Sequence, residues 1–202
     1  MQYVQFGNTG LTVSRLGFGG IPIQRIDQPG TRALLDAARR AGINYIDTAR
    51  GYTVSESWIG QSLEELGARD DFILATKCRA LTASEMEAEL QTSLANLRTR
   101  YIDLYQFHNP SLADLETILA PGGALEALQK AKAAGVVGHI GLTAHLAAVA
   151  VRAAETDAIE TIMFPYNIVE QQGADIIDRC AKSGKAFIDM KPLAGGAIED
   201  GR

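Results

Sequence analysis

The chain has 202 residues, 47% hydrophobic and 21% charged, which is the composition of a globular protein with a substantial core and excludes a disordered acidic or basic tail. Nineteen basic and twenty-four acidic side chains give a formal charge of -5 and leave no broad cationic footprint for nucleic acid or anionic lipid. No apolar run is long enough for a transmembrane helix, and the opening MQYVQFGNTG has neither the basic nor the apolar region of a signal peptide, so the expectation is a cytoplasmic protein with no nucleic-acid or membrane partner.

In chain order, a hairpin around Gly7 to Gly10 precedes a first barrel strand at Leu16–Gly20 and a helix at Thr31–Ala41, where Leu34, Leu35 and Ala38 share a face and Gly42 is a stop. Strands are then predicted at Asn44–Thr48, Asp71–Thr76, Tyr101–Phe107, Val136–Gly141, Ile159–Phe164 and Lys185–Met190. Helices fall between them at Glu56–Leu66, Ser84–Leu97, Gly123–Ala134, His145–Ala154 and Glu170–Ala181. Gly30, Pro110, Pro121 to Gly123, and Gly195 with Gly196 punctuate the pattern, and the closing PLAGGAIEDGR reads as a loop after the last strand. No linker interrupts the series, so residues 1–202 read as one domain. About seven β/α units result, in a chain shorter than the roughly 250 residues of an eight-stranded barrel. A doubly wound open sheet is the competing architecture, but the first glycine-rich loop lacks a Gly-x-Gly-x-x-Gly arrangement followed by an acidic ribose ligand.

Four side chains stand at or just past successive strand ends, the rim where barrel loops assemble a site: Asp47 and Tyr52 in NYIDTARGY, Lys77 in ILATK and His108 in LYQFHNP. Taken singly, each has an ordinary structural role as a cap, a surface cation or a packing group. Together they form a proton-transfer set, in which Tyr52 donates, Lys77 offsets phenolate character, Asp47 orients the ammonium and His108 positions a carbonyl. Cys78 and Cys180 are too few and too dispersed for a disulfide framework or a cysteine metal cluster, and His139 with His145 lacks a third ligand, so no metal is assigned.

The ordered segments IDTARGY, the lysine after the third strand, QFHNP and MKPLAGG resemble the aldo-keto reductase family across nearly the whole chain. The resemblance implies an α/β, TIM-barrel-like aldo-keto reductase fold, here lacking the usual final strand and helices, and a catalytic set of Asp47, Tyr52, Lys77 and His108. It implies reversible hydride transfer between NADPH/NADP+ and a small-molecule carbonyl or alcohol, with Tyr52 as general acid. In the family's cofactor positions stand Thr143 in GLTAH, Met163 before PYN, Met190 and Lys191, with Ala144 where an asparagine is usual. PYNIVEQQ and FIDMKPLAGG are similar to an iron–sulfur-associated branch of the family. Its cysteine-rich extension is absent, and no cluster is assigned. Homo-oligomerisation stays open, and the alternative function is a non-catalytic interaction or oligomeric protein built on the same fold.

Overall fold

The computed structural model describes residues 1–196. A short antiparallel hairpin, β1 (Tyr3–Gln5) with β2 (Thr12–Ser14), precedes a seven-stranded parallel sheet in sequence order. Its strands are β3 (Phe18–Gly19), β4 (Tyr45–Asp47), β5 (Ile73–Cys78), β6 (Ile102–His108), β7 (Val137–Thr143), β8 (Thr161–Pro165) and β9 (Ala186–Met190). The crossovers run through α1 (Gln28–Arg40), α2 (Ser55–Leu66), α3 (Ala83–Asn96), α4 (Leu112–Leu119), α5 (Ala124–Ala133), α6 (Ala147–Ala154) and α7 (Ala174–Ser183). The β/α alternation expected from the sequence is thus the observed architecture, an α/β sheet of seven parallel strands with helices packed on its outer face.

Period-two alternation sorts the strand residues into two cores. Ile46, Leu74, Tyr105, Phe107, Ile140, Leu142, Ile162 and Phe164 pack outward against the helices in the large cluster. Tyr45, Ala75, Leu104 and Ala186 form a smaller inner cluster with Phe6 and Val13 of the amino-terminal segment. The strands approach closely there, and at Gly141 an added Cβ would lie 2.2 Å from the Thr161 hydroxyl.

Local chemistry sets the helix ends. The Asp27 side chain accepts from Gly30 N–H and starts α1 three residues before the predicted Thr31, with proline in its first turn. Thr82 with Glu85, and Ser111 with Asp114, form capping boxes on α3 and α4. Helix α4 is absent from the sequence-based element list, where the segment carried only its proline punctuation; its signal is the Ser111-x-x-Asp114 box. The first barrel strand is shorter than predicted, two residues rather than Leu16–Gly20.

The hairpin braces the bottom of the sheet from both sides. Ser14 N–H donates to Asn44 Oδ1 at 2.6 Å and Asn44 N–H to Ser14 Oγ at 3.1 Å, tying it to the entrance of β4. Asn8 N–H donates to the Gly184 carbonyl at 2.7 Å, tying it to the entrance of β9. Between these ties the Phe6 ring meets Tyr45, with centroids 5.6 Å apart. The outer strands β3 and β9 flank a groove of about 1040 Å3 with Phe18, Ile177, Phe187 and Ile188 on its walls.

Gly7 has a φ of 56°, and a Cβ there would lie 2.5 Å from the Ala186 nitrogen. Gly7→Ala is therefore expected to lower stability by about 1–3 kcal/mol through overpacking, read as a lower urea midpoint at unchanged slope. An unaltered midpoint would show that the hairpin is not clamped at this point.

Candidate active site

Parallel pairing brings the carboxyl ends of all seven strands to one rim, with Lys77 opposite Gln106 and His108 opposite Thr143 in adjacent registers. Lys77 is only 2% exposed. A buried ammonium needs a charge partner and hydrogen-bond acceptors, and two of its three N–H groups find them, in an ion pair to Asp47 Oδ2 and a 2.8 Å bond to the Thr48 carbonyl. Asp47 Oδ1 accepts from Gln106 Nε2 at 2.9 Å, which fixes the carboxylate from the other side.

Over this pair sits Tyr52, with Lys77 Nζ 5.0 Å from its ring centroid. Burial first, and the Asp47 charge second, push the Tyr52 hydroxyl well above the usual phenol range, so it is a protonated donor at neutral pH. The His108 ring meets Tyr52 edge-on at 5.8 Å and 86°. Burial pulls the His108 imidazole down to about 4, aided by the positive charges of Lys77, Arg79 and His145. It is neutral at pH 7 and keeps one ring N–H to offer.

The loop that carries Tyr52 is held by a buried acid. Glu56, 1% exposed, accepts from Arg50 at 3.1 Å, Thr76 at 2.7 Å, Ser93 at 2.8 Å and Asn96 at 3.1 Å. Arg50 also donates to Glu89 at 2.6 Å, and its own backbone N–H donates to the Lys77 carbonyl at 2.9 Å. Left-handed backbone follows three of the cleft residues: Thr53 after Tyr52, Asn109 after His108 and Lys191 after Met190, with φ of 42°, 52° and 62°. Non-glycine residues take this conformation at a cost of about 1–2 kcal/mol, and it turns the chain sharply at the exits of β6 and β9 and in the loop beyond β4.

Thr143, Met163, Met190 and Lys191 line the same cleft as Asp47, Tyr52, Lys77 and His108, in a cavity of about 1060 Å3. All eight residues singled out in the sequence are therefore brought together. Thr143 Oγ1 accepts from Asn109 N–H at 3.0 Å, and Asn109 Oδ1 accepts from His145 N–H at 3.0 Å. Asn167 Nδ2 donates to the Lys191 carbonyl at 3.1 Å and shapes that corner. His145 lines the cleft, whereas His139 stands away from it. It lies earlier on β7, opposite Leu104, with its Nδ1 2.7 Å from Glu160. Among the described residues no three His, Cys, Asp or Glu side chains gather as a metal site.

The sequence reading passed over Arg50, Glu56, Arg79, Gln106 and Asn109. Two carried a signal, because Gln106 and Arg79 stand two residues from His108 and Lys77 on the same strand faces. The Glu56 network had none, since its members come from four separate segments.

A family model described as the aldo/keto reductase family matches residues 15–202. The L-galactose dehydrogenase of Arabidopsis thaliana is 29% identical over 96% of this chain and 66% of its own length. The aldo-keto reductase YhdN of Bacillus subtilis is 30% identical over 92% of this chain and 60% of its own length. The chain thus spans less than two thirds of the length of these two relatives. The holo form of aldo-keto reductase AKR11C1 from Bacillus halodurans superposes with a TM-score of 0.87 at 28% identity, covering 97% of this chain and 68% of that one.

Two outcomes are expected from this geometry. In a histidine NMR titration the His108 ring should protonate near pH 4 rather than 6.5. The unfolded chain takes up this proton first, so His108 should cost stability as pH falls from about 6.5 towards 4; a midpoint at the ordinary value would contradict the buried, cation-flanked environment. Glu56→Ala leaves Arg50 and the half-buried Asn96 short of a partner and strands two buried donors, Thr76 and Ser93, and should lower the unfolding free energy by roughly 3 kcal/mol. A loss under about 1 kcal/mol in urea unfolding, the range of an ordinary exposed pair, would remove the network's assigned weight.

Proposed function

The chain belongs to the aldo/keto reductase family, and on that premise we propose that it is an NADPH-dependent oxidoreductase that reduces the carbonyl of a small aldehyde or ketone to an alcohol, with Tyr52 as general acid. The observation that carries this reading is the buried Lys77–Asp47 pair beneath a protonated Tyr52 and beside a neutral His108. Two titratable groups whose surroundings push them in opposite directions mark an acid–base assignment.

The donor set at the cleft fits a nicotinamide dinucleotide. Thr143 offers a hydroxyl, the thioethers of Met163 and Met190 offer polarizable apolar surface for a flat ring, and Lys191 adds a cation for an anionic tail. When bound, the reduced nicotinamide supplies a hydride to the carbonyl carbon and is left oxidised. The protein's part is orientation and charge. The His108 N–H holds the carbonyl oxygen in line, and the Tyr52 hydroxyl passes its proton to that oxygen as negative charge accumulates there. The phenolate left behind is offset by the Lys77 ammonium, which Asp47 and the Thr48 carbonyl prevent from turning away. Solvent then returns the proton to Tyr52, and alcohol oxidation runs these steps in reverse. This reading takes residues 1–202 as one domain and the cytoplasm as its location.

The first test is a titration of NADPH, and separately NADH, into the folded chain, followed by cofactor fluorescence and heat release. Saturable binding with NADPH preferred is expected; no binding by folded protein overturns the assignment of the cleft. Tyr52→Phe keeps the ring but removes the acid, so kcat for carbonyl reduction should fall about 10²–10⁴-fold with cofactor binding unchanged. A wild-type rate in that variant would reassign the proton donor.

A further inference from the structure

Seven charged side chains line the catalytic cleft, and most are matched to each other. Asp47 is taken by Lys77 and Gln106, and Glu89 by Arg50, which also holds Glu56. Glu85 Oε2 is engaged by the Leu81 and Thr82 N–H groups at 2.9 and 3.1 Å. This leaves Arg79 and Lys191, neither of which enters an ion pair among the described residues.

The two stand at different strand ends. Strand order runs β3, β4, β5, β6, β7, β8, β9, so Arg79 stands among the reacting groups carried by β4, β5 and β6, and Lys191 three strands beyond them. Lys191 follows β9, in company with Thr143, Met163 and Met190 from β7, β8 and β9. Arg79 follows β5, on the far side of His108, which ends β6. It lies one residue past the end of β5 and is solvent-exposed. There it lines both the main cleft and an adjoining side pocket of about 240 Å3 walled by Leu81, His108, Asn109 and Ile118. Its charge reaches the imidazole only as a contribution behind burial and Lys77. Asp114, the acid of the side pocket, is engaged by the Ser111 N–H and hydroxyl at 3.1 and 2.8 Å.

We propose that Arg79 anchors a carboxylate on the substrate, so that the carbonyl compounds preferred by this site are acidic ones, aldehydes or ketones that carry a carboxylate away from the reacting carbon. The inference rests on the carbonyl-reductase reading of the same cleft. A guanidinium presents a planar pair of donors that matches a carboxylate two-to-two. Placed at the mouth of the side pocket beside His108, it would fix which end of the molecule points away from Tyr52.

The test uses a matched pair, 4-carboxybenzaldehyde and its neutral methyl ester, with wild-type protein, Arg79→Met and Arg79→Lys. In steady-state reduction with NADPH, Arg79→Met should raise KM for the carboxylate about tenfold or more, well beyond any change common to acid and ester. Arg79→Lys should recover part of the loss. Equal KM values for acid and ester in the wild type, or equal changes for both in Arg79→Met, overturn the anchor while leaving the reductase reading intact. A parallel calorimetric titration of the two aldehydes into cofactor-free protein decides the matter without turnover. Carboxylate binding that weakens in Arg79→Met supports the anchor even if no reduction is seen, in which case the reductase reading fails alone; binding that is absent, or indifferent to Arg79, overturns it.

Discussion

The arrangement of the cleft depends on an ammonium group that has been taken out of water. Lys77 is 2% exposed, and an isolated charge in that position would be unfavourable by several kcal/mol. The Asp47 carboxylate and the Thr48 carbonyl supply what solvent would have supplied, and Gln106 holds the carboxylate in turn. Because these partners come from β4, β5 and β6, the pair fixes three adjacent strand ends relative to one another. Removing either charge would leave the other buried and unmatched, so the geometry is held by mutual need rather than by the strength of one bond.

Around that fixed charge, each neighbour takes the protonation state its surroundings impose. Tyr52 keeps its proton because it is desolvated beside an acid, and His108 loses its own because it is desolvated among cations. One residue has a proton to give and the other has an N–H to orient, without competition between them. The Glu56 network operates one layer further out, joining α2, α3 and β5 to the loop that presents Tyr52. A hydroxyl aimed by a loop is only as well placed as that loop, and here the loop is tied to a fully buried acid.

The parts of this architecture that were legible in the sequence are the periodic ones. Alternating apolar strands and helical faces gave the order of elements, and the residues at the strand exits, Asp47, Tyr52, Lys77 and His108, could be read as a group because parallel strands must end on one rim. Helix α4 was missed because it is short and its segment begins and ends near prolines, although Ser111 and Asp114 announced its start. Arg50, Glu56 and Asn96 were illegible for a different reason. Their meaning lies in contacts between segments far apart in the chain, and no local pattern encodes such contacts.

The hairpin at the bottom of the sheet imposes an order in time as well as in space. Its residues are synthesised first, yet one of its two ties, from Asn8 to Gly184, is to a strand made near the end of the described chain. At roughly 5–20 residues per second, that partner emerges from the ribosome on the order of ten seconds or more after the hairpin. During that interval Phe6 and Tyr45 can meet, but β9 is not there to close the floor beneath them. Contacts this distant in sequence are the slow ones to form, so the inner core, plugged from below, is completed last, and nascent chains spend that time with the strand entrances uncovered.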